Sequence, residues 1–207
     1  MDRIIDHRPA RRFARTAKFL LAFVGMLFFA PMAWGQGAAP KVSIMTSMGD
    51  IVLELDREHA PAAVDNFLRY AKEGHFDGTV FYRVVPGFVI QAGSFDAQGK
   101  PRGVHDPIPL ETANGPSNLR GTITMAHGDD PNSARAEFFI NLADNKALDR
   151  QPDDQANKTG FAVFGHVVDG LDVVDRIAAT PLGGGYGPFA DAAPAMPVTI
   201  VKVMVLN

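Results

Sequence analysis

Among its 207 residues the sequence has no cysteine. That excludes disulfides, thiol nucleophiles and lipid attachment through cysteine. It is compatible with an oxidising compartment without establishing one. The six histidines, His7, His59, His75, His105, His127 and His166, include no H-x-x-x-H or H-E-x-x-H pair. With no cysteine to complete a zinc set, no metal is expected. There is no G-x-S-x-G nucleophile motif. Gly183-Gly184-Gly185 is followed by Tyr186, Gly187 and Pro188, which cannot open a phosphate-binding helix. No cofactor is expected.

Long hydrophobic runs are also missing. The longest, Phe19 to Ala30, is about 12 residues, against the roughly 20 that span a bilayer. It follows Arg8, Arg11, Arg12, Arg15 and Lys18 and precedes Ala33-Trp34-Gly35. This order reads as a secretory signal peptide over residues 1–35, cleaved after Gly35, with no stable membrane insertion afterwards; an uncleaved membrane anchor is the alternative, disfavoured by the short span. Residues 36–40 then form a linker and 41–207 one domain. Export, most simply to the periplasm, is the expected localisation. The whole chain carries a formal charge of −3, and removing the basic leader makes the rest more acidic. Nucleic acid is therefore not an expected partner.

The remainder reads mainly as strands. Val42, Ile44 and Thr46, then Ile51, Leu53 and Leu55, alternate with more polar positions around a turn at Ser47 to Asp50, predicting a hairpin. Pro61 opens a helix whose apolar stripe is Val64, Phe67, Leu68 and Ala71, with Gly74 as a left-handed cap. Two strands flank Pro86-Gly87 between Thr79 and Gly93. Further strands are predicted over 121–126, 137–141, 161–168 and 198–206. Asp169 is placed to cap a second short helix bearing Leu171, Val174, Ile177 and Ala178 on one face. Long loops occupy 94–118, 143–160 and 183–197, and long loops in compact domains are often functional.

Two segments carry more. They are Phe81-Tyr82-Arg83-Val84-Val85-Pro86-Gly87-Phe88-Val89-Ile90-Gln91-Ala92-Gly93, and Gly121-Thr122-Ile123-Thr124-Met125-Ala126 with Phe138-Phe139-Ile140-Asn141 after it. Together with Phe161-Ala162-Val163-Phe164-Gly165 they resemble the cyclophilin family of peptidyl-prolyl cis-trans isomerases. The likeness runs in order from about Lys41 to Asn207. The stretch Asn141-Leu142-Ala143-Asp144-Asn145 looks most like the periplasmic bacterial branch.

The resemblance implies a closed eight-stranded antiparallel β-barrel capped by two short α-helices, and a shallow groove for proline-containing polypeptides, such as unfolded exported proteins. A monomer is expected, because no coiled coil or large exposed apolar stripe suggests an oligomer. By motif match the resemblance assigns Arg83, Phe88 and Gln91 to catalysis. Val89, Ala126, His127, Glu137, Phe139, Leu148 and Phe161 are assigned to substrate binding, His127 through its backbone. A proline-peptide-binding chaperone with little catalysis is the alternative on the same fold. Three positions depart from the family pattern: Glu137 stands where the family often has Gln, Ala147 aligns with its usual pocket Trp, and Phe161 with its usual pocket His. Glu137 near Arg83 either occupies that arginine or orients it. Loss of the Trp implies weak binding of cyclosporin-type macrocycles.

Overall fold

The computed structural model describes residues 39–151 and 159–206. The expected signal peptide lies outside the described residues.

Strands β1 (Lys41–Thr46) and β2 (Gly49–Leu55) form the predicted hairpin, with Ile51, Leu53 and Leu55 buried at every second position. Helix α1 (Pro61–Lys72) follows, with Pro61 in its first turn and Val64, Phe67, Leu68 and Ala71 turned inward. Gly74 ends it at φ +69°, a backbone state that only glycine adopts without steric cost. No side chain of the N-cap residue Ala60 holds the helix start. The Glu111 carboxylate does so from the long loop, accepting from Ala62 N at 3.0 Å and Ala63 N at 2.9 Å. An anion at the positive end of the helix is also favoured by its dipole.

Then come β3 (Arg83–Val85), β4 (Val89–Ala92), β5 (Thr122–Met125), β6 (Phe138–Asn141), β7 (Val163–Asp169), α2 (Leu171–Ala178) and β8 (Ile200–Val205). All pairings are antiparallel, in the order β3-β4-β6-β5-β7-β2-β1-β8. The fold is mainly β, an eight-stranded curled sheet with two helices.

A closed barrel was expected, and the ladder is open. Its edges are β3 and β8. The stretch before β3 meets the start of β8 through one bridge, Val80 to Thr199, and hydrogen bonds such as Phe81 N to Val198 O at 3.0 Å. Val80 N, on the alternate side of the chain, donates to Phe95 O. A second correction concerns α2. Its N-cap is Gly170, at φ +81°, and Asp169 bonds only to the Gly170 N–H. Leu171, in the first turn, is 36 % exposed; Val173 takes its place beside Val174 and Ile177.

The core lies between α1 and the sheet. Phe67 stacks on Phe76 at 5.0 Å and meets Phe138 edge-on at 5.5 Å and Phe164 at 5.3 Å. Across the strands Val84, Ile90, Ile140 and Ile123 form one buried row in register. Side chains alternate faces along a strand, so the neighbouring row points the other way. That row is Arg83, Gln91, Phe139 and Thr124.

Candidate active site

The hairpin β3–β4 turns at Pro86-Gly87, which sets Arg83 opposite Gln91. Directly paired residues of an antiparallel ladder lie close enough for side chains to bond. Here an Arg83 guanidinium nitrogen donates to Gln91 Oε1 at 3.0 Å. Phe139 follows Gln91 in the same row on β6.

A polar chain fixes that pair. Glu137 Oε2 accepts from the Tyr82 hydroxyl at 2.8 Å and from Gln91 Nε2 at 3.3 Å. Gln91 Nε2 also donates to the Tyr82 oxygen at 2.6 Å. An ionised carboxylate only accepts, so the Gln91 amide must turn its NH2 toward Glu137 and its oxygen toward Arg83. Burial first, and the Glu137 carboxylate beside it second, push the Tyr82 phenol far above its ordinary pKa, so it stays a donor. Among the described residues no ion pair joins Glu137 to Arg83. Arg83 instead has the Phe189 ring over its guanidinium, 5.1 Å from carbon to centroid.

An apolar wall stands next to this row. Phe139 meets Phe161 edge-on at 5.7 Å, and Phe161 stacks on the His127 ring at 4.3 Å. The His127 ring nitrogens face Gly160 O at 3.0 Å and Gly128 O at 2.7 Å, so its side chain takes part in the wall as well as its backbone. Leu148, half-buried on a 3-10 turn, accepts from Phe161 N through its carbonyl at 2.9 Å. Ala126 N donates to Glu137 O at 2.9 Å, which ties the end of β5 to the start of β6.

Phe88 and Val89 join through the backbone. Phe88 is half-buried, and its carbonyl accepts from Leu142 N and from Asn145 Nδ2, both at 2.8 Å. Val89 shares the face of Gln91 but is 1 % exposed, which leaves it as support beneath the surface.

Behind the wall lies a buried polar ladder. Asn118 Nδ2 donates to Phe161 O at 3.3 Å and to Asp149 Oδ1 at 3.0 Å, and its Oδ1 accepts from Asn141 at 3.2 Å. Asn145 Nδ2 in turn donates to Asn141 Oδ1 at 2.8 Å, so the ladder connects the Phe161 and Phe88 carbonyls. A cavity of about 370 Å³ opens beside Phe161, lined also by Thr112, Pro116, Asp149 and Val163; Arg83 is not part of it. Among the described residues no group of three His, Asp or Glu side chains is placed to hold a metal ion.

The structure places Arg83, Gln91, Glu137 and Phe139, all named from the sequence, next to one another, and it adds Tyr82 and Phe189 to their surroundings. Tyr82 precedes the regular part of β3, where alternation gives no guide to its direction. Phe189 was a lone aromatic in a Gly/Ala/Pro-rich loop, with nothing in the spacing to say where that loop folds.

A family model described as cyclophilin type peptidyl-prolyl cis-trans isomerase/CLD matches residues 41–205. The chain is 37 % identical over 188 residues to peptidyl-prolyl cis-trans isomerase A of Dickeya dadantii, covering 91 % of this chain and 95 % of that protein. It is 42 % identical over 164 residues to a peptidyl-prolyl cis-trans isomerase of Acinetobacter baylyi, covering 79 % and 84 %. A solved cyclophilin type isomerase of Cryptosporidium parvum, crystallised in the presence of the dipeptide Ala-Pro, matches the fold with a TM-score of 0.68 at 23 % identity, over 81 % of this chain and 99 % of that one. The open, curled eight-stranded sheet and the match along its whole length lead to one conclusion: the chain belongs to the cyclophilin-type peptidyl-prolyl cis-trans isomerase family.

Proposed function

We propose that this isomerase acts through Arg83 as a donor to the prolyl nitrogen of a twisted Xaa-Pro bond. The planar bond resists rotation by roughly 18–20 kcal/mol because its nitrogen lone pair is shared with the carbonyl. Uncatalysed exchange takes tens to hundreds of seconds. Twisting returns the lone pair to nitrogen. A guanidinium N–H then has an acceptor that neither planar isomer offers, so its bond stabilises the transition state selectively. Arginine stays charged and keeps its donors in a fixed plane.

The observation that carries this reading is the setting of Arg83. The guanidinium is half-buried and held at 3.0 Å by a neutral amide oxygen, with no carboxylate paired to it among the described residues. The chaperone alternative drew on Glu137 occupying Arg83; that carboxylate is bonded to Tyr82 and Gln91 instead. Phe139 and Phe161, with Phe88 and Leu148 at the margins, supply the apolar surface for the proline ring. A proline peptide is the substrate class, in line with the dipeptide used for the Cryptosporidium relative.

The test is two-dimensional exchange spectroscopy on a short Xaa-Pro peptide. Arg83→Ala is expected to keep the fold and lose most of the acceleration. Wild-type exchange by that variant refutes the assignment. We infer further that residues 1–35 direct export and that the clients are unfolded exported proteins. Mass spectrometry of the protein recovered from the periplasmic fraction of expressing cells is expected to find an N-terminus at Gln36; an intact leader overturns cleavage, and absence from that fraction overturns export.

A further inference from the structure

Phe189 is 45 % exposed, in a molecule whose other aromatic rings mostly lie in the core. Exposure of a single apolar side chain is ordinary in itself; what sets Phe189 apart is its contact with Arg83. It is not carried on a loose strand of chain. The loop that presents it is closed at its base by Gly183 N and Gly184 N donating to Ala193 O at 2.9 and 3.0 Å, and by Ala195 N donating to Pro181 O at 2.7 Å. A bridge joins Leu182 to Pro194. At its tip, residues 190–192 form a 3-10 turn, and Ala192 N donates to Phe189 O at 2.9 Å. The ring lies nearly parallel to Tyr82, 12° apart at 6.2 Å, and Tyr82 is itself fixed by Glu137.

Arg83 stands under this ring at 5.1 Å, within the range of a cation–π contact. β3 is an edge strand, so Arg83 has a neighbouring strand on one side alone. Gln91 grips the guanidinium within that strand pair. A second contact, over the face of the guanidinium, comes from Phe189.

We propose that Phe189 is a positioning residue for Arg83: its ring covers one face of the guanidinium, removes its freedom to swing into solvent, and leaves the N–H groups not used by Gln91 free for the substrate. This rests on the reading of Arg83 given above. A flexible arginine must be ordered at the moment of reaction; one already confined is not, so the gain falls on kcat.

The experiment compares Phe189→Leu and Phe189→Tyr with the wild-type full chain. Leucine keeps apolar volume without a π face; tyrosine keeps the face. The expected loss for Phe189→Leu is about two- to five-fold in kcat/KM, carried by kcat, from the usual strength of an exposed cation–π contact. Phe189→Tyr is expected to stay at the wild-type level. The Arg83 side-chain N–H resonances are expected to lose a ring-current shift in Phe189→Leu and keep it in Phe189→Tyr. Wild-type kinetics in Phe189→Leu, equal losses in both variants, or a loss with unchanged Arg83 resonances each overturns the proposal. Arg83→Ala is run alongside. If it abolishes acceleration while Phe189→Leu keeps the wild-type kcat/KM, this inference alone fails; if Arg83→Ala is itself fully active, the reading of Arg83 fails first.

Discussion

Replacing Glu137 by leucine removes the one acceptor at the end of the chain Tyr82–Gln91–Arg83. The Tyr82 side chain is fully buried, so its O–H then either has no acceptor or draws the Gln91 oxygen away from Arg83 by an amide flip. An orphaned buried donor costs about 1–3 kcal/mol. Because the lost bond ran to a carboxylate, we expect the upper part of that range. Tyr82→Phe alone costs less, about 1 kcal/mol, because Glu137 is half-buried and keeps its 3.3 Å bond from Gln91. The double variant removes donor and acceptor together, so its cost is expected to fall short of the summed single costs by about 1–2 kcal/mol. Urea unfolding of the four proteins measures this directly, provided the slope stays constant. Isomerisation rates of the folded proteins give the functional arm. Glu137→Leu frees the Gln91 amide to flip and slows catalysis, while Glu137→Gln, which still offers an oxygen, restores it. Costs that add to within about 0.5 kcal/mol refute the coupled chain, and an unslowed Glu137→Leu refutes its link to Arg83.

Glu111→Ala leaves Ala62 N and Ala63 N at the start of α1 without their acceptor. It is expected to lower stability by about 1–2 kcal/mol in a thermal or urea melt, with the isomerisation rate unchanged; an unaltered melt overturns the capping role. His75 is held below the usual histidine pKa, chiefly by burial, with the Gly93 carbonyl opposing and Arg102 adding to the lowering. A depressed value means that the folded state resists the proton. The stability contributed is complete above about pH 6.5 and is lost as pH falls through the folded-state value. His75→Gln, which can still donate to Gly93 O, is expected to flatten the fall in unfolding midpoint below that pH. An identical fall in the variant removes His75 as its source.

The sheet was legible in the sequence where one face is buried. Ile51, Leu53 and Leu55 alternate cleanly, and β2 stands where they put it. Helix α1 was legible for the same reason, with the added punctuation of Pro61 and Gly74. Alternation says which face a residue takes but not which strand lies beside it, so the open edges at β3 and β8 could not be read. The cap of α2 failed because Asp169 and Gly170 both suit helix starts, and only the backbone angle distinguishes them. At the site, Arg83 and Gln91 were found through the motif and the register then explained their contact. The partners of Glu137 were not decidable beforehand: one of them is Tyr82, whose direction is set by tertiary packing. Glu111 capping a helix 48 residues away along the chain has no local signal at all.

The pairing of β1 with β8 has a consequence for when this chain folds. Val42 stands opposite Val205, so the first strand of the domain waits for the last. Contacts this distant in sequence form late and slowly. A nascent chain lacking β8 leaves Ile44 without Val203 across from it and an interior edge of the sheet bare. Such a chain, ended after Thr199, is expected to be cut readily by protease, and a resistant one would contradict the point. The sheet therefore cannot be finished until the last strand of the domain has been made: the element that covers β1 is the final one to leave the ribosome.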